Sequence, residues 1–456
     1  MTWRVVCDSG ELVIECAHAA QKVGLRIEPE FSAEWFQKAA HHLAKGDSIA
    51  IALAEAPTLE QLVRLSKDAT AHKATLALAI VGDGESSQRT LDAAGDLGIA
   101  GVSEIGSLAA VLALAGAQAI APWSASIRSL PAPDRARLRS AVAHGARTRG
   151  QLSREKAGLI AWSAEEGSRP VLIGEPAETA RAIAALRAAD RAAIDPESTV
   201  EGVDQQAVLD VIFGPRRALS GPASKAALLA YGMAMPVEEL CSSASRAAAE
   251  ASRIGFPVRV ALASPDLRIW DHPDLAVDLI DNAARVREVF GLLTGLAASR
   301  APNSRLLGVT VAAANQAAAL LEVRARLLPH GRISMDIGFA DPHGKASGDL
   351  TTAVLPATMS GIERILGRLK GNSLILGGSK AQRRRNLESV GDTLLRLAAL
   401  VNDRGKELEG VGLLPLALLV DGNVEIREAC ITVSDAFERS IEATGEQSEA
   451  RHSGVT

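Results

Sequence analysis

The stretch Ile254-Gly-Phe-Pro-Val-Arg-Val-Ala-Leu-Ala-Ser-Pro-Asp266 contains the end of a helix, a strand and a turn. The Ala-rich segment before it, Ser242–Ile254, is typical of a helix, and Gly255 is a residue that commonly ends one. Val258–Ala263 is then an apolar run of strand length, which Ser264-Pro265 closes with a turn. This order predicts a domain in which helices and strands alternate.

Beyond this stretch, the alternation of helices and strands gives way to hairpins. One more strand–helix–strand unit is predicted at Ala276–Ile280, Ala283–Leu296 and Leu307–Val311. Two antiparallel hairpins follow, pairing Leu320–Leu328 with Arg332–Phe339 and Leu413–Val420 with Val424–Ile431. Two helices are predicted between the hairpins, at Ser360–Leu369 and Asn386–Val401. We therefore predict a two-lobed α+β domain over residues 206–438 and a polar, flexible tail at 439–456.

The first 118 residues alternate strand and helix signals along their whole length. Four apolar runs have strand length: Arg4–Val6, Ser48–Leu53, Ala74–Val81 and Ile99–Val102. Helical stretches separate them, and one begins at a capping box, Thr58-Leu-Glu-Gln61. Strands joined by helices of this length form a parallel sheet, which binds ligands at the carboxyl ends of its strands. Residues 119–205 are predicted to be a further α/β and helical region that ends in a linker.

Composition limits the classes of function open to this chain of 456 residues. Its 49 basic and 54 acidic side chains give a formal charge of −5, whereas a nucleic-acid binder normally has a basic surplus. No apolar run approaches the roughly 18–20 residues of a membrane span, and the N-terminus lacks the apolar core of a signal peptide. The four cysteines form no C-x-x-C pair. We expect a soluble cytoplasmic protein that binds neither nucleic acid nor membrane.

Two loops carry residues with the chemistry of a binding site. Ser9 and Gly10 follow the first strand and precede the first helix, whose N-terminal N–H groups suit a phosphate or CoA. The alternative is an ordinary polar turn between a strand and a helix. Asp271, His272 and Asp274 form the second group, which is either a metal or acid–base cluster or a solvated loop.

Several motifs of the second half occur in the order of a known family. Leu219-Ser-Gly-Pro-Ala-Ser-Lys-Ala-Ala-Leu-Leu-Ala-Tyr-Gly-Met233 is similar to a helix with a Leu-Ser start that leads to Leu-Leu-x-x-Tyr-Gly-Ile. Ile254-Gly-Phe-Pro-Val258 and Ala263-Ser-Pro-Asp266 are similar to Ile-Gly-Tyr-Pro-Val and Val-Ser-Pro-Asp. In this order, about residues 215–435 resemble the ATP-grasp domain of the NDP-forming acyl-CoA synthetases, relatives of succinyl-CoA synthetase. Residues 1–118 are similar to the flavodoxin-like domain of that family, so the resemblance implies an α/β flavodoxin-like domain followed by an ATP-grasp-like domain.

The resemblance implies phosphoryl transfer through a histidine, with ATP or ADP and Mg²⁺ as cofactors, but the positions that carry this chemistry differ here. Ala261 stands where the family has a lysine, and an alanine cannot neutralise a phosphate. At the position of the family's His-Lys-Ser-Asp-x-Gly-Gly motif, this chain has Ile269-Trp-Asp-His-Pro-Asp-Leu275. At the position of the family's metal-binding Asp-Ile-Asn-Pro-Leu, this chain has Gly412-Leu-Leu-Pro-Leu416, which has no side-chain oxygen for Mg²⁺. In the first domain, Gly82-Asp-Gly-Glu-Ser-Ser87 replaces the loop with the phosphorylated histidine.

Two hypotheses follow from these differences. The first is a non-catalytic or strongly diverged family member, a pseudoenzyme that acts as a companion subunit or as a scaffold for acyl-CoA or nucleotide. Its partner would be a catalytic or CoA-binding subunit, since the family's Rossmann-type CoA-binding domain is not among the predicted domains. The second is an active ADP-forming acid–thiol ligase with relocated catalytic groups. Because phosphoryl transfer depends on positioned charges, the loss of those charges favours the first hypothesis.

Overall fold

The structure is a computed structural model that divides into two compact units. It describes residues 3–22, 25–82, 84–116, seven positions between 181 and 189, 200–213, 219–269, 271–340, 346–355 and 359–437. The first unit takes in Met1–Pro196 with two short later segments, and the second begins at Glu197. Most of the predicted region 119–205 and the tail 439–456 lie outside the described residues. The domain boundaries placed at 118, 205 and 438 therefore stay predictions.

The first unit contains a parallel sheet of five strands in the order β2-β1-β3-β4-β5. Its strands are β1 (Trp3–Cys7), β2 (Ile27–Phe31), β3 (Ile49–Leu53), β4 (Leu76–Ile80) and β5 (Ala100–Val102). Its helices are α1 (Gly10–Lys22), α2 (Trp35–Ala44), α3 (Leu59–Ala71), α4 (Glu85–Asp96) and α5 (Ile105–Gly116). This strand order is the flavodoxin-like one, so the predicted fold of the first domain is confirmed.

Side-chain size differs between the two faces of this sheet. Alternate residues of β3 and β4 point to opposite faces, and every residue of both strands is buried. One face carries alanines of these strands and packs against α1 and α5, while the other carries isoleucines and leucines and packs against α2, α3 and α4. The described residues between 181 and 189 are helical and add Ala182 and Ala185 to the alanine face, as the predicted helix there requires. The capping box is confirmed, since Thr58 and Gln61 exchange their hydrogen bonds.

The sequence pattern missed β2 and α2, because β2 does not resemble an ordinary strand. Its residues are Ile27-Glu-Pro-Glu-Phe31, and both acids and proline are depleted in strands. β2 lies at the edge of the sheet, the position where a proline without an N–H group is tolerated. Edge exposure also leaves Glu28 and Glu30 free to pair with cations.

A buried histidine joins β2 to α2 and to the start of β3. The Nε2 of His42 lies 2.7 Å from Glu30 Oε1, and its Nδ1 lies 3.2 Å from Asp47 Oδ2. Only the protonated imidazolium donates from both ring nitrogens at once. Burial works against the charge on Glu30, but hydrogen bonds from His42 and Lys38 outweigh it and hold the pKa of Glu30 below its usual 4.5.

This arrangement makes the first unit sensitive to acid. A carboxyl whose pKa is depressed in the folded state stabilises above its unfolded pKa of 4.5, and that contribution is lost as pH falls through the lower, folded value. We expect Glu30→Gln to cost about 1–2 kcal/mol at pH 7 and to flatten the loss of stability below pH 4.5. Urea unfolding between pH 3 and 7 measures both effects. Glu28→Gln, which removes an exposed pair with Arg4, is the control and should cost less than about 1 kcal/mol.

The second unit contains two sheets with helices on them. The first sheet has the order β6-β9-β7-β8 and is antiparallel throughout. Its strands are β6 (Glu238–Cys241), β7 (Val258–Ala263), β8 (Ala276–Ile280) and β9 (Gly308–Ala313). The helices of this part are α6 (Gln205–Ile212), α7 (Gly221–Leu229), α8 (Ala244–Ile254) and α9 (Ala283–Arg300). The prediction gives β7 and β8 with the bounds that the structure has, and it misses β6.

The second sheet has the order β12-β11-β10-β13-β14, and β15 also pairs with β13. Its strands are β10 (Ala317–Leu327), β11 (Ile333–Ala340), β12 (Ala346–Leu355), β13 (Leu408–Leu419), β14 (Val424–Ile426) and β15 (Ala429–Val433). Three helices accompany it, α10 (Met359–Leu366), α11 (Ser373–Leu376) and α12 (Lys380–Arg404). Both predicted hairpins form, but the return strand of the second is divided into β14 and β15 by Arg427 and Glu428. Strand β12 was not predicted.

The cysteines and the hydropathy of the helices agree with the sequence. Cys7, Cys16, Cys241 and Cys430 are all free thiols, and the first three are buried. Among the helices of the described part, none combines the length and the low charge that crossing a bilayer needs.

Candidate functional site

Ser9 and Gly10 lie at the carboxyl edge of the parallel sheet, where α1 begins. The Ser9 hydroxyl accepts a hydrogen bond from the Leu12 N–H at 3.3 Å, so it satisfies one of the free donors at the start of the helix. Gly10 has open space where a Cβ would point, so close packing does not require a glycine there. Both residues behave as parts of a helix start, and their role in binding stays a prediction.

The carboxylate of Asp8 lies beside these two residues. Its two oxygens accept the Ala54 N–H at 2.9 and 3.1 Å, and this contact joins the end of β1 to the end of β3. A phosphate placed at the N-terminus of α1 would meet this negative charge at close range. The edge is therefore better suited to a neutral or cationic group than to a phosphate.

Asp271, His272 and Asp274 lie in the loop between β7 and β8, and the two carboxylates have different partners. Asp271 accepts from Arg268 Nε at 2.9 Å, and Asp274 accepts from both terminal nitrogens of Arg300. The hydrogen bond from Arg300 lowers the pKa of Asp274. The two carboxylates thus bind different arginines. Within the residues that the structure describes, no three His, Cys, Asp or Glu side chains converge to hold a metal ion.

A different group of charges surrounds Arg259 of strand β7. Val258, Val260 and Leu262 face the core of the first sheet, so Arg259 and Ala261 share the opposite face. Arg259 has only 7% of its surface exposed and Ala261 has 1%. The position that the family resemblance assigns to a lysine is therefore a buried alanine, and the cation on the same face is one step of the pleat away.

Two carboxylates bind the Arg259 guanidinium. One terminal nitrogen, Nη1, lies 3.0 Å from Asp278 Oδ2, and the other, Nη2, lies 3.2 Å from Glu428 Oε1. Burial lowers the pKa of Arg259, but the attraction of Glu428 and Asp278 outweighs it and raises the pKa above its ordinary value. Among the residues that the structure describes, none accepts a hydrogen bond from the buried Nε of Arg259. This guanidinium is therefore already neutralised by the protein's own acids.

The position of Glu428 depends on its neighbours. A Cβ on Gly221, the first residue of α7, would come within 3.2 Å of Glu428 Oε2, so the glycine leaves room for the carboxylate at the N-terminal end of this helix. That end of a helix favours negative charge. The Glu428 carbonyl oxygen accepts the Leu414 N–H at 3.0 Å, which fixes the backbone.

A second buried ion pair lies nearby. Lys225 of α7 donates to Glu238 of β6, and the side chains are only 7% and 14% exposed. Burial raises the pKa of Glu238, Lys225 opposes this, and the neighbouring Glu428 carboxylate raises it further. These two ion pairs together with Asp278 make a cluster of three carboxylates and two cations. The excess negative charge of the cluster would repel an added phosphate.

The cavity at this end of the domain is small. It has a volume of about 20 Å³, roughly that of one water molecule, and lies between the start of α7, the end of β7 and the start of β15. Sites for small molecules and cofactors usually have about 300–1,000 Å³. In this conformation the cavity is too small for a nucleotide.

Asp278 reaches Arg259 through an irregularity in β8. The register between β7 and β8 shifts between Val258 and Val260, and Leu279 takes a positive φ of 56°. An L-residue in this region costs roughly 1–2 kcal/mol, while a glycine adopts it freely. The contact between Asp278 and Arg259 therefore coexists with a locally strained backbone.

Relief of this strain gives a testable prediction at Leu279. Because its side chain is 69% exposed, Leu279→Gly loses little buried surface, and we expect a gain of about 0.5–1 kcal/mol in unfolding free energy. Leu279→Ala keeps the Cβ and should give no gain. Thermal unfolding of the three proteins checks this, and equal stability of the Gly and Ala variants would contradict it.

Sequence reasoning missed the five charged residues of this group. Lys225, Glu238, Arg259, Asp278 and Glu428 are distant in the sequence, and their meeting depends on the fold. One signal was available, since Arg259 interrupts an otherwise apolar strand. An arginine in such a run needs a buried partner.

The residues present do not fit the Mg²⁺ site that the resemblance implies. Leu414, at the position of a metal-binding asparagine, is a buried leucine in β13 and offers no side-chain oxygen. The backbone of Glu428 is hydrogen-bonded to that of Leu414, but the Glu428 carboxylate is bound by Arg259.

The chain is similar to known ligases over about half of its length. Residues 210–433 match the family of ATP-grasp domains. The beta subunit of ADP-forming acetate–CoA ligase II from Pyrococcus furiosus is 21% identical over 236 residues, which are 50% of this chain and 100% of that subunit. The ADP-forming 4-hydroxybutyrate–CoA ligase of Nitrosopumilus maritimus is 24% identical over 196 residues, 43% of this chain and 28% of that ligase.

Solved structures are also similar over about half of the chain. The Ca. Korarchaeum cryptofilum dinucleotide forming acetyl-coenzyme A synthetase 1 has 19% identity and a TM-score of 0.45, covering 50% of this chain and 99% of that chain. The family match and the aligned relatives agree with the resemblance found in the sequence. Residues 210–433 are an ATP-grasp domain homologous to the beta subunit of ADP-forming acetate–CoA ligase, and a flavodoxin-like parallel sheet precedes it in the chain.

Proposed function

We propose that this protein is a non-catalytic or strongly diverged relative of the ADP-forming acyl-CoA ligases, acting as a companion subunit or as a scaffold for acyl-CoA. One observation carries the proposal. On the face of β7 that would have to neutralise phosphate, the available cation is Arg259, and Asp278 and Glu428 already bind it. Catalysis of phosphoryl transfer consists mainly of positioned charge, and the charge here is used internally.

The proposed partner is a catalytic or CoA-binding subunit. The Pyrococcus furiosus relative is by name one subunit of its ligase, and this chain matches it along its whole length. Because that relative is named as a beta subunit, we infer a companion role for the domain here.

Calorimetry with Mg·ATP and with acetyl-CoA tests the proposal on the purified full chain. We expect no saturable Mg·ATP binding and no release of ADP when CoA and acetate are supplied. Affinity purification from the native host should then recover a CoA-binding subunit or leave acetyl-CoA as the bound ligand.

Turnover would overturn the proposal. Saturable Mg·ATP binding with CoA-dependent ADP release would establish the other hypothesis, an acid–thiol ligase with relocated catalytic groups. A chain that binds neither ligand and recovers no subunit would contradict both the companion and the scaffold roles.

A further inference from the structure

Two buried ion pairs of the second unit, Lys225–Glu238 and Arg259–Glu428, join elements that belong to different sheets. Glu238 and Arg259 lie on β6 and β7 of the first sheet. Lys225 lies on α7, and α7 is attached to the second sheet, because Ser224 Oγ accepts the Ile431 N–H at 3.1 Å and the Leu219 N–H donates to the Ile431 carbonyl at 3.1 Å. Glu428 lies between β14 and β15 of that second sheet.

The pairing between the two sides is reciprocal. The first sheet supplies one carboxylate and one cation, Glu238 and Arg259, and the other side supplies Lys225 and Glu428. All four residues are largely buried, and each pair takes one member from each side. This pattern resists both sliding and separation, since either movement would break two desolvated charge pairs at once.

We propose that Lys225, Glu238, Arg259 and Glu428 form a clamp that holds the two sheets of the ATP-grasp domain together without a bound nucleotide. Asp278 supports the clamp by binding the second side of the Arg259 guanidinium. The bulge that presents Asp278, with Leu279 at positive φ, indicates that the fold tolerates strain in order to make this contact. The proposal concerns the conformation of the domain and holds whether or not acyl-CoA binds.

Distance measurements between spin labels test the clamp in the full chain. Arg285→Cys places one label on α9 of the first sheet, and Arg384→Cys places the other on α12 of the second, both exposed. Cys430→Ser removes the half-buried native thiol, and the other three are buried. In the ligand-free parent we expect one narrow distance distribution that Mg·ADP does not change.

Breaking the clamp should open the domain. We expect Arg259→Met to add a second population more than about 2 Å longer than the parent distance. Arg427→Met is the matched control, because its pair with Glu425 is similarly buried but lies within one segment of the second sheet, and its other contact, a hydrogen bond to the Asn315 carbonyl between β9 and β10, is not an ion pair. That variant should keep the narrow parent distribution.

A conservative variant keeps the test decisive if Arg259→Met fails to fold. Arg259→Lys retains the charge but cannot bridge Asp278 and Glu428 with two separate nitrogens, so it should show a smaller open population. The clamp is refuted if Arg259→Lys and any folded Arg259→Met keep the parent distribution, if Arg427→Met opens the domain equally, or if the parent already has two populations. Calorimetric results with ATP and acetyl-CoA leave this distance measurement unaffected, so the two proposals fail separately.

Discussion

Arg259→Met is expected to lower the unfolding free energy of the second unit by about 3–5 kcal/mol. The substitution removes the cation between Asp278 and Glu428 and leaves the buried Glu428 carboxylate, which is 10% exposed, facing the half-buried Asp278 carboxylate. Glu238, whose pKa burial already raises, loses a nearby positive charge as well. The unpaired charges that remain, rather than the lost attraction, make the effect large.

Neutralising the whole group separates these two causes. In the triple variant with Arg259→Met, Asp278→Asn and Glu428→Gln, no charge of this cluster is left unpaired, so we expect a loss of only about 1–2 kcal/mol. Urea unfolding followed by circular dichroism measures the transition of the second unit. Arg300→Met removes a similar pair with Asp274 at the surface and should cost less than about 1 kcal/mol. A single Arg259→Met no worse than Arg300→Met would show that the cluster does not stabilise the fold.

The sequence predicts much of this fold because the fold follows local patterns. The apolar run of β7 and the capping box at Thr58 depend on neighbours within a few residues, and both are found in the structure. Strand β2 was missed because its edge position permits the acids and the proline that usually argue against a strand. The residues next to one another in the sequence do not indicate whether a strand lies at the edge or in the middle of its sheet.

The ion cluster was missed for a related reason. Glu428 lies 169 residues from Arg259, and the two meet only because strand β7 of the first sheet approaches the segment between β14 and β15 of the second. Sequence comparison with the family identified Ala261 and Leu414 as differences, and the structure shows that both are buried. The comparison does not reveal that the neighbouring Arg259 is neutralised by Glu428, because that ion pair depends on a contact between the two sheets.

Restoring nucleotide binding should therefore require three substitutions. The pair Ala261→Lys and Leu414→Asn supplies a cation for phosphate and a side-chain oxygen for Mg²⁺ at the two positions where the family has them. In the double variant the Glu428 carboxylate is still bound by Arg259, and the clamp still holds the sheets together. We expect no measurable Mg·ATP binding by calorimetry for this double variant.

Adding Arg259→Val should change the result. It removes the guanidinium, opens the contact between the sheets and leaves Glu428 available as an oxygen ligand beside the amide introduced by Leu414→Asn, with which it shares a backbone hydrogen bond. Mg²⁺ can then balance the carboxylate that Arg259 had neutralised. We expect the triple variant to bind Mg·ATP at least about tenfold more tightly than the double variant, a difference of about 1.4 kcal/mol, and to unfold at a higher temperature when Mg·ATP is present.

The controls separate opening of the domain from repair of the site. Arg259→Val alone opens the contact but supplies neither the lysine nor the asparagine, so it should bind no Mg·ATP and gain no thermal stability from it. If Arg259→Val alone binds as well as the triple variant, the charge cluster by itself excluded the nucleotide and Ala261 and Leu414 are unimportant. If the double variant already binds, Arg259 and Glu428 do not obstruct the site. Binding that appears only when all three positions change would show two causes acting together. The loss of the family's phosphate-binding and metal-binding residues and the gain of an internal ion pair would both prevent this domain from binding nucleotide.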